Sequence, residues 1–160
     1  MPLLDLMRGS PDAVDEFSIE QAAKLAGDGK LRDGSTSSDE LREYLSSIPS
    51  HKLFEHVDYC LTSSFEDCGF ALQDTVNELG RRLGFEVNNG LYRGRKNANN
   101  FDGLWTDDEG TQIVVEVKTT DIYRINLDTV ADYRKKLMQQ SVISEHSSIL
   151  LVVGRQDTGD

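Results

Sequence analysis

The segment TQIVVEVKTT (111–120) combines charged and apolar residues in a way that suits metal-dependent chemistry. It is the most β-branched stretch of the chain, which favours a β-strand. Side chains of a strand alternate between its faces, so Val114, Glu116 and Lys118 share one face. An acid and a lysine on an otherwise apolar strand need compensating groups, because burying either charge alone costs free energy.

A second acid, Asp102, lies in the preceding segment FDGLW (101–105). The polar turn TDDEG separates the two segments, and this pattern predicts a β-hairpin in which Asp102 approaches Glu116. Two neighbouring carboxylates repel each other, and a hard divalent cation such as Mg²⁺ or Mn²⁺ relieves the repulsion. Such an ion can bind a phosphate and lower the pKa of a bound water. Lys118 would orient that water or neutralise charge on phosphorus.

The elements that must position these residues predict an α/β fold. Apolar residues at helical spacing predict a helix over 66–84, and FEVNN (85–89) is a short strand-like run. After the hairpin, residues 126–141 have a helical pattern, and the apolar run SSILLVVGR (147–155) predicts a buried strand. We expect the order helix, three strands, helix and strand, with a mixed central sheet flanked by helices.

Asp102, a 13-residue spacer and the EVK sequence of 116–118 resemble the PD-(D/E)xK, or restriction-endonuclease-like, nuclease superfamily. The resemblance covers about residues 66–155, and the core of that family has the element order predicted here. It implies a metal-dependent phosphodiesterase that acts on nucleic acid. In this resemblance Asp102 and Glu116 are the Mg²⁺ ligands, and Lys118 is the catalytic lysine.

The resemblance also implies a polar residue on the first core helix that faces the metal. Gln73 and Asp74 both lie at the expected place. Gln73 is the closer match to subfamilies that resemble bacterial restriction enzymes, and is taken as a further catalytic residue, but the choice between the two stays open. Phe101 precedes Asp102 where the family motif has a proline.

Each of these residues also has a structural interpretation. Asp102 could belong to an Asp-Gly hairpin turn, and Glu116 with Lys118 could form a salt bridge on a solvated face. The candidate contacts to nucleic acid are Arg93, Arg95, Lys96, Thr119 and Arg124. The basic residues of this set could equally lie in a solvated loop, and threonine is common in strands.

The charge of the chain is divided unevenly between its halves. The net charge is −11; residues 1–80 carry 16 acidic and 6 basic residues, whereas residues 81–160 carry 12 and 11. Local positive charge governs the binding of polyanions, so the second half can contact nucleic acid. We predict an acidic helical region over 1–64 and a nuclease core over 65–160. Capping boxes at Ser18 and Ser37 begin two of its helices.

No apolar run reaches the roughly 20 residues of a membrane span, and the N-terminus lacks the pattern of a secretory signal. We therefore expect a cytoplasmic protein without a membrane partner. The predicted function is a Mg²⁺-dependent endonuclease that cuts DNA in restriction or another bacterial defence system, with RNA as an alternative substrate. We expect a homodimer if both strands are cut, and a further targeting domain or subunit.

Two alternatives stay open. One is a degenerate nuclease fold that binds nucleic acid or protein without cleavage. The other is a helical interaction module whose acidic N-terminal region binds a basic partner.

Overall fold

The computed structural model describes residues 3–94, 101–119 and 127–154. Contacts divide the chain into two compact units, Met1–Leu79 and Gly80–Asp160. The boundary after residue 64 that the sequence indicates stays a prediction. Within the described ranges, no helix combines the length and the apolar character that crossing a membrane requires.

The first unit is helical. Its helices are α1 (Leu3–Gly9), α2 (Pro11–Asp15), α3 (Ile19–Leu25), α4 (Thr36–Ser47), α5 (Ser50–Thr62) and α6 (Cys68–Arg82), the last of which continues into the second unit. The capping box at the start of α3 is confirmed: Gln21 N donates to Ser18 Oγ at 3.3 Å, and Ser18 N donates to Gln21 Oε1 at 2.9 Å. Pro49 separates α4 from α5, as a residue without a backbone N–H is expected to do.

The capping box predicted at Ser37 is wrong. The N-cap of α4 is Ser35, whose Oγ accepts from Ser38 N at 3.3 Å. Ser37 is buried, and its hydroxyl donates to Asp28 Oδ1 at 2.9 Å and accepts from Asp28 N at 3.1 Å. Glu40 accepts from two backbone N–H groups outside α4, at 3.1 and 3.2 Å. Both side chains therefore bind the segment before α4, and Glu40 also binds the start of α1, instead of capping the helix.

The second unit contains the sheet. Its elements are β1 (Glu86–Asn89), β2 (Gly103–Thr106), β3 (Gln112–Lys118), α7 (Leu127–Gln139) and β4 (Ser147–Val153). The strand order is β1-β2-β3-β4, with the first two pairs antiparallel and β3 parallel to β4. The α/β class and the mixed sheet are confirmed, as is the order of one helix, three strands, one helix and one strand.

A buried cluster covers one face of this sheet. It consists of Leu104, Val114, Leu137 and Ile143, with Tyr133 and Ile149 among the partly buried residues packed against it. On the opposite face Trp105 packs against Phe85, with ring centroids 5.6 Å apart. Strand β4 is less buried than predicted, and Leu150 is 38 % exposed. The reason is that β4 lies at the edge of the described sheet, so that a strand, β3, covers it on one side only.

Candidate active site

Asp102, Glu116 and Lys118 lie together in the second unit. Lys118 Nζ is 3.4 Å from Glu116 Oε2 and 3.7 Å from Asp102 Oδ2. The side chains of the two acids are 19 % and 17 % exposed and that of Lys118 is 37 % exposed, so the cluster is half-buried but open to solvent on the lysine side. The hairpin and the strand alternation thus bring together the three residues that the sequence singled out.

Asp102 is fixed by the backbone of the strand that carries the other two residues. Just before the start of β2, Asp102 N donates to Val115 O at 3.0 Å, and Asp102 Oδ2 accepts from Val117 N at 2.6 Å. The carboxylate therefore provides the acceptor for a β3 backbone N–H. The Asp-Gly turn interpretation is wrong, because the turn that joins β2 to β3 lies farther along, between Asp107 and Gly110.

Gly90 helps to place Asp102 and was not identified from the sequence. Its N–H donates to Asp102 O at 3.0 Å. A Cβ at Gly90 would collide with the backbone of Phe101 and Asp102, which cannot move without displacing the start of β2. The available signal was a glycine directly after the short run 85–89, since glycine beside a strand often marks close approach of two backbones.

The environment of Glu116 favours a compensating positive charge. Burial raises the pKa of its carboxyl, and repulsion from Asp102 raises it further, whereas attraction to Lys118 lowers it. The upward effects prevail, so a further positive charge beside Glu116 would stabilise its carboxylate form. Glu116 and Lys118 do form a salt bridge. It lies on a half-buried face, whereas the structural interpretation placed it on a solvated face.

Tyr133 on α7 is a second residue that sequence reasoning did not assign to the site. Its hydroxyl forms a hydrogen bond with Glu116, and burial raises the pKa of Tyr133 well above its ordinary value. Helical spacing in the sequence puts Leu137 and either Tyr133 or Arg134 on the core side of α7, and in the structure Tyr133 packs there. Contact with an acid of β3 depends on how α7 packs, which spacing does not show.

Gln73 and Asp74 lie on α6 within the first unit, and both are buried. Asp74 Oδ1 accepts from Arg42 Nε at 3.0 Å, so its charge is compensated inside that unit. The catalytic role of Gln73, and the choice between these residues, stay predictions.

The candidate nucleic-acid contacts are only partly described. Arg93 is exposed in the segment after β1, and Thr119 is half-buried directly after β3. Arg95, Lys96 and Arg124 lie outside the described residues. Their role in binding stays a prediction.

The donor set fits a hard divalent cation that retains water. In the described ranges, no three or more His, Cys, Asp or Glu side chains are gathered as a metal site. Mg²⁺, however, is commonly held by one or two carboxylates, with water and substrate phosphate as the remaining ligands. Asp102 and Glu116 provide two such carboxylates, and the raised pKa of Glu116 is the sign of a site that positive charge would stabilise.

Comparisons with models of protein families, with curated proteins and with solved structures gave no match to this chain. Function must therefore be inferred from the geometry of the site.

Proposed function

We propose that this protein is a Mg²⁺-dependent endonuclease with a PD-(D/E)xK-type core that hydrolyses phosphodiester bonds in DNA, in restriction or another bacterial defence system. The observation that carries the proposal is the cluster of Asp102, Glu116 and Lys118, in which one ammonium group lies within 3.7 Å of both carboxylates. Support also comes from the order of the elements around it, one helix, three strands, one helix and one strand.

Asp102 and Glu116 are the residues that would hold Mg²⁺, with Mn²⁺ as a substitute. The ion supplies a bound water of lowered pKa and stabilises the negative charge that grows on phosphorus. In hydrolysis the water oxygen would bond to phosphorus and release a proton to solvent, while the bond from phosphorus to a sugar oxygen breaks and that oxygen takes up a proton. The two carboxylates fix the geometry of the reacting groups, because Asp102 is anchored to Val117 N and Glu116 to Tyr133.

Lys118 would act directly on the substrate. Its side chain is the most exposed of the three, and an ammonium group on a flexible stem can turn towards a phosphate oxygen or the attacking water. When the carboxylates are neutralised by a cation, Lys118 is no longer needed as their counter-charge. It can then offset the charge of the transition state.

The proposed partners follow from this chemistry. Arg93, Arg95, Lys96, Thr119 and Arg124 are the proposed contacts to nucleic acid. One site hydrolyses one phosphodiester bond, so cleavage of both strands of a duplex calls for a homodimer. A separate domain or subunit would supply sequence targeting.

The first test is cleavage of a supercoiled plasmid by the full chain. We expect nicking or linearisation with Mg²⁺ or Mn²⁺ and none with EDTA. Lys118→Ala and Asp102→Asn should each lower the rate by about 10²-fold or more, because the first removes the ammonium group that would act on the phosphate and the second removes a carboxylate that would hold the cation. Lys135→Ala is the matched control, since Lys135 is an exposed lysine on α7 that pairs with the exposed Asp132 at 3.5 Å. Cleavage in EDTA, or full activity of Lys118→Ala, would contradict the site assignment.

A second candidate is a nuclease-fold module that binds nucleic acid or protein without cleavage. The observation that favours it is the contact of Lys118 with both acids, since one ammonium group already offsets part of their charge without a metal. Gel-shift assays with DNA and RNA duplexes in Mg²⁺ separate the candidates. A shifted but uncut duplex supports the binding module, and the same assay shows which nucleic acid is preferred.

A further inference from the structure

Tyr133 approaches the candidate site from a different element than the residues it contacts. It lies on α7, the helix that connects β3 to the parallel strand β4. Its ring is half-buried and packs against the cluster of Leu104, Val114, Leu137 and Ile143. Apolar contacts thus hold the ring in place, while its hydroxyl donates a hydrogen bond to Glu116.

Glu116 needs such an anchor more than Asp102 does. Asp102 is held by a backbone N–H at 2.6 Å, which is itself part of β3. Glu116 also contacts Lys118, whose Nζ is 3.4 Å away and lies near Asp102 as well. A lysine on a long stem is a weak guide for orientation, whereas a packed tyrosine has few rotatable bonds.

We propose that Tyr133 is a positioning residue for Glu116, whose carboxylate it holds turned towards Asp102 so that both acids can bind one divalent cation. This inference rests on the proposed function, because it assigns Tyr133 to the metal site of the same reaction. Carboxylates that bind metals are themselves commonly fixed by hydrogen bonds from neighbouring groups. Tyr133 itself does not contact the reacting atoms in this scheme.

The test is the affinity of the full chain for Mn²⁺ alone, measured by titration calorimetry without nucleic acid. Tyr133→Phe keeps the ring and removes the hydroxyl, and we expect Mn²⁺ to bind about 10-fold more weakly or worse. Tyr59→Phe is the matched control: Tyr59 Oη donates to Glu20 Oε2 at 2.8 Å in the first unit, and its loss should leave Mn²⁺ affinity unchanged. In plasmid cleavage, Tyr133→Phe should raise the half-saturating Mn²⁺ concentration, with a smaller effect on the rate at saturation.

A structural role for Tyr133 is tested with Leu137→Val. This change loosens the packing of α7 in the same cluster and leaves the Tyr133 hydroxyl in place. Circular dichroism identifies a temperature at which all variants are folded. Equal weakening of Mn²⁺ binding by Leu137→Val and Tyr133→Phe would overturn the positioning role, as would wild-type affinity in Tyr133→Phe or no Mn²⁺ binding by the unmodified chain.

The failure of this inference can be separated from failure of the proposed function. Mn²⁺ binding that depends on Asp102 and on the Tyr133 hydroxyl, without cleavage of any nucleic acid, would support the positioning role and reject the nuclease. Metal-dependent cleavage with unaltered Mn²⁺ binding in Tyr133→Phe would reject the positioning role alone.

Discussion

Asp102, Glu116 and Lys118 form a half-buried cluster, so removing one of their charges affects the stability of the fold as well as the chemistry. Exposed ion pairs contribute little, but a half-buried group whose partner is removed is left uncompensated. Asp102 also serves as acceptor for Val117 N–H. Asparagine keeps an oxygen for that N–H, so Asp102→Asn separates loss of charge from loss of the backbone contact better than alanine does.

A buried histidine in the first unit makes stability depend on pH. His56 is 1 % exposed, its Nε2 is 2.9 Å from Tyr44 Oη, and burial lowers the pKa of His56 from 6.5 to about 4. Because the pKa is lower in the folded chain, the unfolded chain takes up the proton first as the pH falls. The free energy of unfolding should therefore decrease by up to about 1.4 kcal/mol per pH unit from about pH 6.5 to about pH 4.

Denaturant unfolding of the wild type and of His56→Gln between about pH 7 and pH 4 checks this prediction. Glutamine does not titrate, so the variant should lose less stability over the interval. The difference should level off once the pH is below the folded pKa. Parallel curves for the two proteins would exclude His56 as the source.

At the scale of elements, the contact between α6 and β2 depends on a glycine. Gly80 lies in α6, and a Cβ built there would be 2.5 Å from Cε2 of Trp105. Trp105 is buried and also packs against Phe85, so its ring has little room to move. Glycine in a helix costs about 1 kcal/mol relative to alanine, and here close packing is the reason for it.

Gly80→Ala should therefore destabilise the protein by up to about 2 kcal/mol, because an overpacking cost of about 1–3 kcal/mol is offset by a gain in helix propensity of about 1 kcal/mol. Gly69 is the matched control in the same helix, since a Cβ there meets nothing within 4 Å. Gly69→Ala should be neutral or stabilising. Chemical denaturation of both variants measures the difference, and equal stability of the two would contradict the packing argument.

The elements that the sequence predicted are those with strong local patterns. Helices α6 and α7 and strand β3 follow from apolar spacing and from β-branched residues. Helices α1 and α2 have 7 and 5 residues, too few for a period to be recognised. Ser37 failed as a cap because its hydroxyl bonds to Asp28, a partner that only the folded loop brings near.

The candidate site, like the helices and strands, was predictable where the sequence pattern is local. Alternation along β3 and the hairpin pattern are local, and they were enough to join Asp102, Glu116 and Lys118. Tyr133 and Gly90 could not be assigned in this way, because their contacts depend on the packing of α7 and on the approach of two backbones. Tertiary contacts of this kind leave no periodic signal in the sequence.

At the scale of the whole molecule, negative charge is concentrated in the first half of the chain. Residues 1–80 contribute −10 of the net −11, while the second half is close to neutral. Binding of a polyanion must then rely on a few local basic residues. Association with nucleic acid should consequently be weak and sensitive to salt.

We expect the affinity for a DNA duplex, measured by fluorescence anisotropy in Ca²⁺, to fall with NaCl with a log–log slope of about −4, since four of the proposed contacts are basic residues. Replacing Arg93, Arg95 and Lys96 by alanine should leave only Arg124 of that set and bring the slope to about −1. The control replaces three exposed basic residues of the first half, Arg8, Lys24 and Lys30. A steep slope that survives the first replacement would place the binding surface elsewhere.

The turn between Asp107 and Gly110 lies at the far end of its hairpin from Asp102 and Lys118. At the other end of the hairpin, the hydrogen bond from Val117 N to Asp102 Oδ2 holds β2 and β3 in register. Insertions or deletions at the tip would therefore lengthen or shorten the hairpin while Asp102, Glu116 and Lys118 stay assembled. The tip can thus vary in length and sequence among relatives of this chain without rebuilding that cluster.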